Sequence, residues 1–154
     1  MSFEKTPAGT RGMRMPSAVR PLVKWTGSWM VRRYRRKGGS YMGLDCLVLT
    51  TVGAKTGQRR ETLLGSFPDG DDAWLIIASS GGTVNNPAWY HNLAAHPDQA
   101  EVEVGGRKVA VTATQLSGAE RQAAWDRVVA AQPRYTGYEK KTDREIPIIR
   151  LVAA

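Results

Sequence analysis

The pattern of apolar and polar positions divides the chain into an irregular start, one basic helical stretch, a strand-rich middle and a mixed final third. Residues 1–16 combine Gly, Pro, Thr and Arg without periodicity and read as a mobile lead-in. From Pro21 to Arg36 the spacing is helical. Val19, Leu22, Val23, Trp25, Trp29, Met30 and Tyr34 fall on one half, and Arg20, Lys24, Arg32 and Arg35 on the other. Gly38-Gly39-Ser40 ends that amphipathic helix. Cys46–Val52, Arg60–Phe67 and Ala73–Ala78 then read as three consecutive strands, with Pro68-Asp69-Gly70-Asp71 as the turn before the third, and predict an antiparallel meander.

Asn85-Asn86-Pro87 opens a short helix over Ala88–Ala95, with Asn as the cap and Pro in the first turn. Glu101–Val104 and Lys108–Thr112 alternate around Gly105-Gly106, a two-residue hairpin signal. Ser117-Gly118-Ala119-Glu120 matches a capping box, and Ala124, Trp125, Val128 and Val129 repeat at helical spacing until Pro133. Ile146–Val152 closes the chain as a strand, with Pro147 marking an edge or an end position. About six strands in hairpins, with helices inserted late, predict an α+β protein built on an antiparallel barrel rather than a parallel sheet. A length of 154 residues suits one domain with a real core. The expected organisation is a basic arm over residues 1–40 and a barrel over 41–154.

Composition changes this picture in one place. Hydrophobic residues at 42% and charged residues at 23% are ordinary for a folded chain. The net charge of +8 is concentrated, because residues 1–40 carry +9 and the remainder −1. A basic excess usually meets nucleic acid, an anionic membrane or an acidic ligand. The Trp and Arg content of the arm favours an anionic lipid surface over nucleic acid, with packing of the helix on the barrel as the alternative. Cys46 is the single cysteine and cannot form an intramolecular disulfide, which fits a reducing cytoplasm. A peripheral place at the inner face of the cell membrane is compatible with this. No stretch has the length of a transmembrane helix or the apolar run of a secretory signal, and no metal site is expected. Monomer and homodimer both remain open.

The loop Gly53-Ala54-Lys55-Thr56-Gly57-Gln58-Arg59-Arg60 joins two strands and holds three cations, two glycines and a hydroxyl. Glycine lets backbone N–H groups approach an anion, while Lys and Arg supply charge and forked donors. It is not a Walker A loop, because Ala54 precedes the Lys and a strand follows. Alone, the loop fits a phosphate site and a solvated turn equally well.

The loop does not stand alone. Thr50–Arg60, Ala78-Ser79-Ser80-Gly81-Gly82, Asn86-Pro87-Ala88-Trp89-Tyr90-His91-Asn92-Leu93, Tyr135-Thr136-Gly137-Tyr138 and Thr142–Pro147 occur in one chain. Together they resemble the deazaflavin-dependent nitroreductase family of mycobacteria and related actinobacteria, over nearly all of Leu44–Val152. The resemblance implies a split β-barrel of the flavin-binding type and coenzyme F420 as cofactor. It also implies hydride transfer from the reduced cofactor to a quinone, nitroaromatic or activated alkene. Lys55, Thr56, Gly57 and Arg60, with Arg59 beside them, resemble the grip on the cofactor's phosphate and oligoglutamate tail. Ala78, Ser79, Ser80 and Gly81 would lie along the deazaflavin, and Asn86, Pro87, Ala88, Trp89, Tyr90 and Asn92 would hold it from the helix. Tyr135 and Tyr138 resemble pocket tyrosines. Gln132 stands where the members best at nitro reduction have a further tyrosine, and Ser80 where some relatives have Lys.

On this reading Ser79, Tyr135 and Tyr138 orient the acceptor by hydroxyl donation, and the proton comes from a tyrosine or water. The alternative is a carrier that binds F420, or a related ligand such as flavin mononucleotide or haem, without turnover. His91 and His96, five apart, read as helix-surface residues, and Asp143 and Arg144 as an ion pair or cap.

Overall fold

The computed structural model describes residues 3, 5–12, 29–36, 40–41, 44–79, 82 and 85–154. The expected helix over residues 21–28, its Gly38-Gly39 stop, and the candidate site residues Ser80 and Gly81 lie outside the described residues. In chain order the elements are a helix over 29–36 (α1), Ser40–Tyr41 (β1), Leu44–Val52 (β2), Arg59–Gly65 (β3), Phe67–Pro68 (β4) and Ala73–Ile77 (β5). Ala88–Ala95 (α2), Ala100–Val104 (β6), Arg107–Gln115 (β7), Gly118–Ala131 (α3), Arg134–Lys141 (α4) and Ile148–Ala153 (β8) follow. Every strand pairing is antiparallel, in the order β1-β2-β6-β7-β8-β5-β4, with β3 on the free side of β2. The expected α+β architecture on an antiparallel, curled sheet is what forms.

The meander ends early. β2 and β3 form a hairpin with Val52 opposite Arg59, and their pairing ends at Ser66, whose N–H donates to the Asp45 carbonyl at 2.8 Å. β4 and β5 then pair with each other, and β5 pairs with β8 instead of β3. The reason lies in the side chains. β5 is apolar on both faces, since Ile76 points into one core and Leu75 and Ile77 into another. β8 matches it with Ile149 and Leu151 on one side and Ile148 on the other. β3 carries Arg59, Arg60, Glu61 and Thr62 and could not bury both faces. β8 is therefore central, and Pro147 occupies the end position rather than an edge, its carbonyl accepting from the Ala78 N–H at 2.9 Å.

Two cores result. Leu47, Leu49, Ile76, Val102, Ala113 and Leu151 fill the barrel together with Trp89 and Leu93 of α2. Leu75, Ile77 and Ile148 pack from the outside against Trp125 and Val128 of α3 and Tyr135 of α4. The β6–β7 hairpin is the one expected. Gly105 and Gly106 have φ of 57° and 81°, the left-handed pair that a two-residue primed turn requires.

Three local expectations are corrected. Ser117 precedes α3 but makes no side-chain cap, and Glu120 instead pairs with Arg150 at 3.0 Å. Asn86 does not cap α2, because Arg144 and Thr6 engage its amide. The lead-in expected to be mobile is docked over residues 5–12, with Thr6 bonded to Tyr90, and Thr10 and Arg11 bonded to Asp143.

The described part of α1 also packs differently. Val31 is buried, the Tyr34 hydroxyl donates to the Cys46 carbonyl at 3.0 Å, and Arg35 reaches Glu61 and Glu103 on β3 and β6. Trp29, expected on the apolar half, is 43% exposed beneath the Arg33 guanidinium. The helix thus lies on the outer face of β2, β3 and β6.

Leu151 has no exposed surface and sits where β8 meets the barrel interior. Leu151→Ala is expected to cost about 3 kcal/mol of unfolding free energy, the middle of the usual range for a core leucine. Urea denaturation with an unchanged slope would read this directly.

Candidate functional site

The register of the first hairpin sorts the cations of the loop. Directly opposed residues share a face. Arg60 faces Thr51, on the side of the interior residues Leu47 and Leu49. Arg59 faces Val52 and joins Glu101 on the outer face at 3.4 Å, its side chain 65% exposed. The three-cation cluster of the sequence is therefore divided, with Arg60 on the inner side, Arg59 turned to the outer face and Lys55 exposed in the turn. Arg59 forms a surface pair of small energetic weight.

The turn itself is tied shut. Gly53 N–H donates to the Gln58 carbonyl at 2.8 Å, Gly57 N–H to the Gly53 carbonyl at 2.9 Å, and Gln58 N–H to Thr56 Oγ1 at 3.2 Å. Lys55, Thr56 and Gly57 are exposed at its tip. Asn92 holds it from α2: its Oδ1 accepts from Ala54 N–H at 2.9 Å and its Nδ2 donates to Thr51 Oγ1 at 3.1 Å. Both ends of that amide are engaged by protein, so Asn92 supports the turn.

At the other end of α2 the chain leaving β5 makes a second turn. The Ser79 carbonyl accepts from Gly82 N–H at 2.9 Å and from Arg144 Nη2 at 2.8 Å, while Arg144 Nη1 donates to Asn86 Oδ1 at 2.7 Å. Gly82 has φ of 81°, and a Cβ there would meet Lys141 Cβ at 2.9 Å and the Tyr138 carbonyl at 3.1 Å. Only glycine allows this turn to lie on α4. α2, about 12 Å long at about 1.5 Å per residue, bridges the two turns. Ala88 is exposed at its open N-terminal turn.

The aromatic candidates separate by burial. Trp89 belongs to the barrel core, and Tyr90, with no exposed surface, lies under the docked N-terminal segment. Tyr90 accepts from Thr6 N–H at 2.8 Å and donates to Gln115 Oε1 at 2.6 Å. His91 packs edge-on against the Tyr90 ring and His96 closes α2 on the Asn92 carbonyl. Tyr135 is buried in the second core, perpendicular to Tyr138 at 5.4 Å and edge-on to Phe67 at 5.9 Å. Tyr138 is half-buried beside the Gly82 turn, with Lys141 Nζ 5.9 Å from its ring. The expected sharing of a helical face by the two tyrosines therefore holds, but only Tyr138 opens outward. A groove between α3 and α4, lined by Trp125, Asp126, Val129 and Thr136, includes none of the candidate cofactor residues.

Asp143 and Arg144, expected as an ion pair or cap, each reach to distant segments of the chain. Asp143 holds Thr10 and Arg11, and Arg144 holds Ser79 and Asn86. Residue type and spacing carried no signal for these partners, which come from distant parts of the chain.

The model of the F420H(2)-dependent quinone reductase family matches residues 25–152. The chain belongs to that family. An F420H(2)-dependent quinone reductase of Mycobacterium tuberculosis is 44% identical over 108 residues, covering 68% of this chain and 71% of the relative. A solved F420-H2 dependent reductase superposes with a TM-score of 0.62 at 36% identity, covering 69% of this chain and 92% of that one. Another solved structure, described as a domain-swapped dimer, gives a TM-score of 0.64 at 30% identity, covering 84% of this chain and 98% of that one.

Burial, and after it the neighbouring Tyr138, push the Tyr135 hydroxyl up to about 12 from its ordinary 10.0. It therefore remains a neutral donor at working pH. The linkage sign follows: the unfolded chain ionises first, so Tyr135 supports folding below pH 10 and that support is lost as pH rises toward 12. Phenolate absorbance is expected to show a tyrosine titrating at about 12 that is absent in Tyr135→Phe.

Proposed function

We propose that this protein binds reduced coenzyme F420 across α2 and reduces a small organic acceptor, with a quinone as the preferred class. F420H2-dependent reduction is the chemistry that family membership brings. The observation that carries the residue-level reading is the arrangement of two turns bridged by one helix. Lys55 and Arg60 stand at one end of α2, and the Ser79–Gly82 turn against Tyr138 stands at the other. An extended cofactor with a flat reacting end and an anionic tail fits that layout.

Lys55, Thr56, Gly57 and Arg60 would take the tail. Ala78 and Ser79, with the adjoining Ser80 and Gly81, would lie along the ring system, near Pro87, Ala88 and the edge of Trp89. When bound, the reduced cofactor supplies a hydride. The chain's own residues position and neutralise. Ser79 and Tyr138 orient the acceptor oxygen by hydroxyl donation, and Tyr135 fixes Tyr138 edge-on while keeping its own proton. A quinone is preferred over a bulky bicyclic nitro compound because Gln132 stands where nitro-reducing members carry tyrosine. Nitroaromatics and activated alkenes are the other acceptor classes.

The test is titration of tryptophan fluorescence with F420 and with flavin mononucleotide, followed by oxidation of reduced F420 by menadione. Tighter flavin binding would overturn the cofactor assignment, and binding without turnover would favour a carrier. Lys55→Ala is expected to raise the cofactor constant about tenfold, the loss of one charge-assisted contact, with turnover at saturation nearly unchanged. A fall in turnover at unaltered affinity would mean that the turn does not hold the tail.

A cytoplasmic location fits this chemistry and a chain with a single, buried cysteine, Cys46. No helix among the described residues is long and apolar enough to cross a membrane. One observation favours peripheral membrane contact, the exposed Trp29 with Arg33 stacked on it. Sedimentation with anionic vesicles should then fall for Trp29→Ala, and equal sedimentation of both proteins removes the idea. The domain-swapped neighbour makes a homodimer the assembly to look for first.

A further inference from the structure

The described N-terminal segment is bonded to the residues that hold the second turn. Thr6 uses each of its polar groups there. Its N–H donates to the Tyr90 hydroxyl at 2.8 Å, its carbonyl accepts from Asn86 Nδ2 at 3.0 Å, and its Oγ1 accepts from Gln115 Nε2 at 2.9 Å. Tyr90 closes the ring by donating to Gln115 Oε1. Further along, the Thr10 and Arg11 N–H groups donate to Asp143 Oδ1 at 2.7 and 2.8 Å, and the Thr10 hydroxyl donates to Oδ2. Gly9 lies so close that a Cβ would clash with Asp143 Oδ1 and stand 3.0 Å from the Arg144 nitrogen.

Asn86 and Arg144 carry these bonds inward. Arg144 is 5% exposed, and its planar fork joins the Asn86 side chain to the Ser79 carbonyl. Two acceptors on one rigid guanidinium fix the separation between the end of β5 and the head of α2. A buried network of this kind is stiff when all its members are satisfied.

We propose that Arg144 is a positioning residue for the cofactor, and that residues 5–12 act as a strap that locks it. Arg144 sets the Ser79–Gly82 turn against the first turn of α2, and the strap prevents Asn86 and the 142–144 segment from withdrawing. The strap thereby tunes cofactor affinity from outside the site. This rests on the reading of that turn as the place of the deazaflavin ring.

Two variants of the full chain test it, read with and without cofactor. Asp143→Ala removes an exposed carboxylate that touches only the strap among the contacts given above. Its strap amides are expected to exchange at open-chain rates, and those of Ser79 and Gly82 about tenfold faster than in the parent, with an unchanged melting temperature. Its constant for reduced F420 should rise about threefold. Arg144→Lys keeps the charge but not the fork. It should weaken cofactor binding about tenfold and change turnover at saturating cofactor by less than about twofold. A released strap with no change at Ser79, Gly82 or in cofactor affinity overturns the proposal, as does a folded Arg144→Lys protein with parental affinity. Absence of F420 binding by the parent protein would instead sink the cofactor reading, while exchange in the cofactor-free protein still decides whether strap and turn are coupled.

Discussion

The backbone pairing of Ile148–Ala153 with strands on both sides is the constraint on which the rest depends. β8 is the link between β7 and β5, and so between the part of the sheet that carries the Gly53–Arg60 turn and the part that carries the Ser79 turn. Its two faces belong to different cores, with Ile149 and Leu151 in the barrel and Ile148 under the helices. A strand buried on both sides fixes register strongly, because a one-residue slip would exchange those two apolar sets and carry Arg150 inward. The Arg150 pairs with Asp69 and Glu120 outside confirm the same register from the polar side.

Given that closure, the site is assembled by polar side chains that reach between elements. Asn92 fastens the first turn to α2, and Arg144 fastens the second turn to Asn86, two residues before that helix. Both are buried, and both engage backbone groups, the Ala54 N–H and the Ser79 carbonyl. The residues proposed to meet the cofactor and acceptor, Lys55, Thr56, Gly57 and Tyr138, are left with surface to offer.

Much of this was legible in the sequence where local signals agree. The Gly105-Gly106 hairpin and the span of α2 form as read, since a primed turn and a Pro-bounded helix depend on neighbours only. The α+β barrel followed from the strand count and the late helices. What was not legible came from distance in the chain. Nothing local says that β5 leaves β3 for β8, that Thr10 meets Asp143, or that Glu120 abandons its cap for Arg150. The loop cations show the boundary most clearly. Their number was visible, but their division between two faces depends on the register Val52↔Arg59, which no count of charges contains.

The central place of β8 bears on how the chain is made. A ribosome delivers residues in order, and until it has delivered Ile148–Ala153 the facing edges of β5 and β7 have no partner. Such edges, apolar on both sides in β5, are templates for pairing with other chains. The growing polypeptide therefore carries two unjoined halves of the proposed cofactor site through most of its synthesis, and shielding by a chaperone matters most in the interval just before β8 emerges.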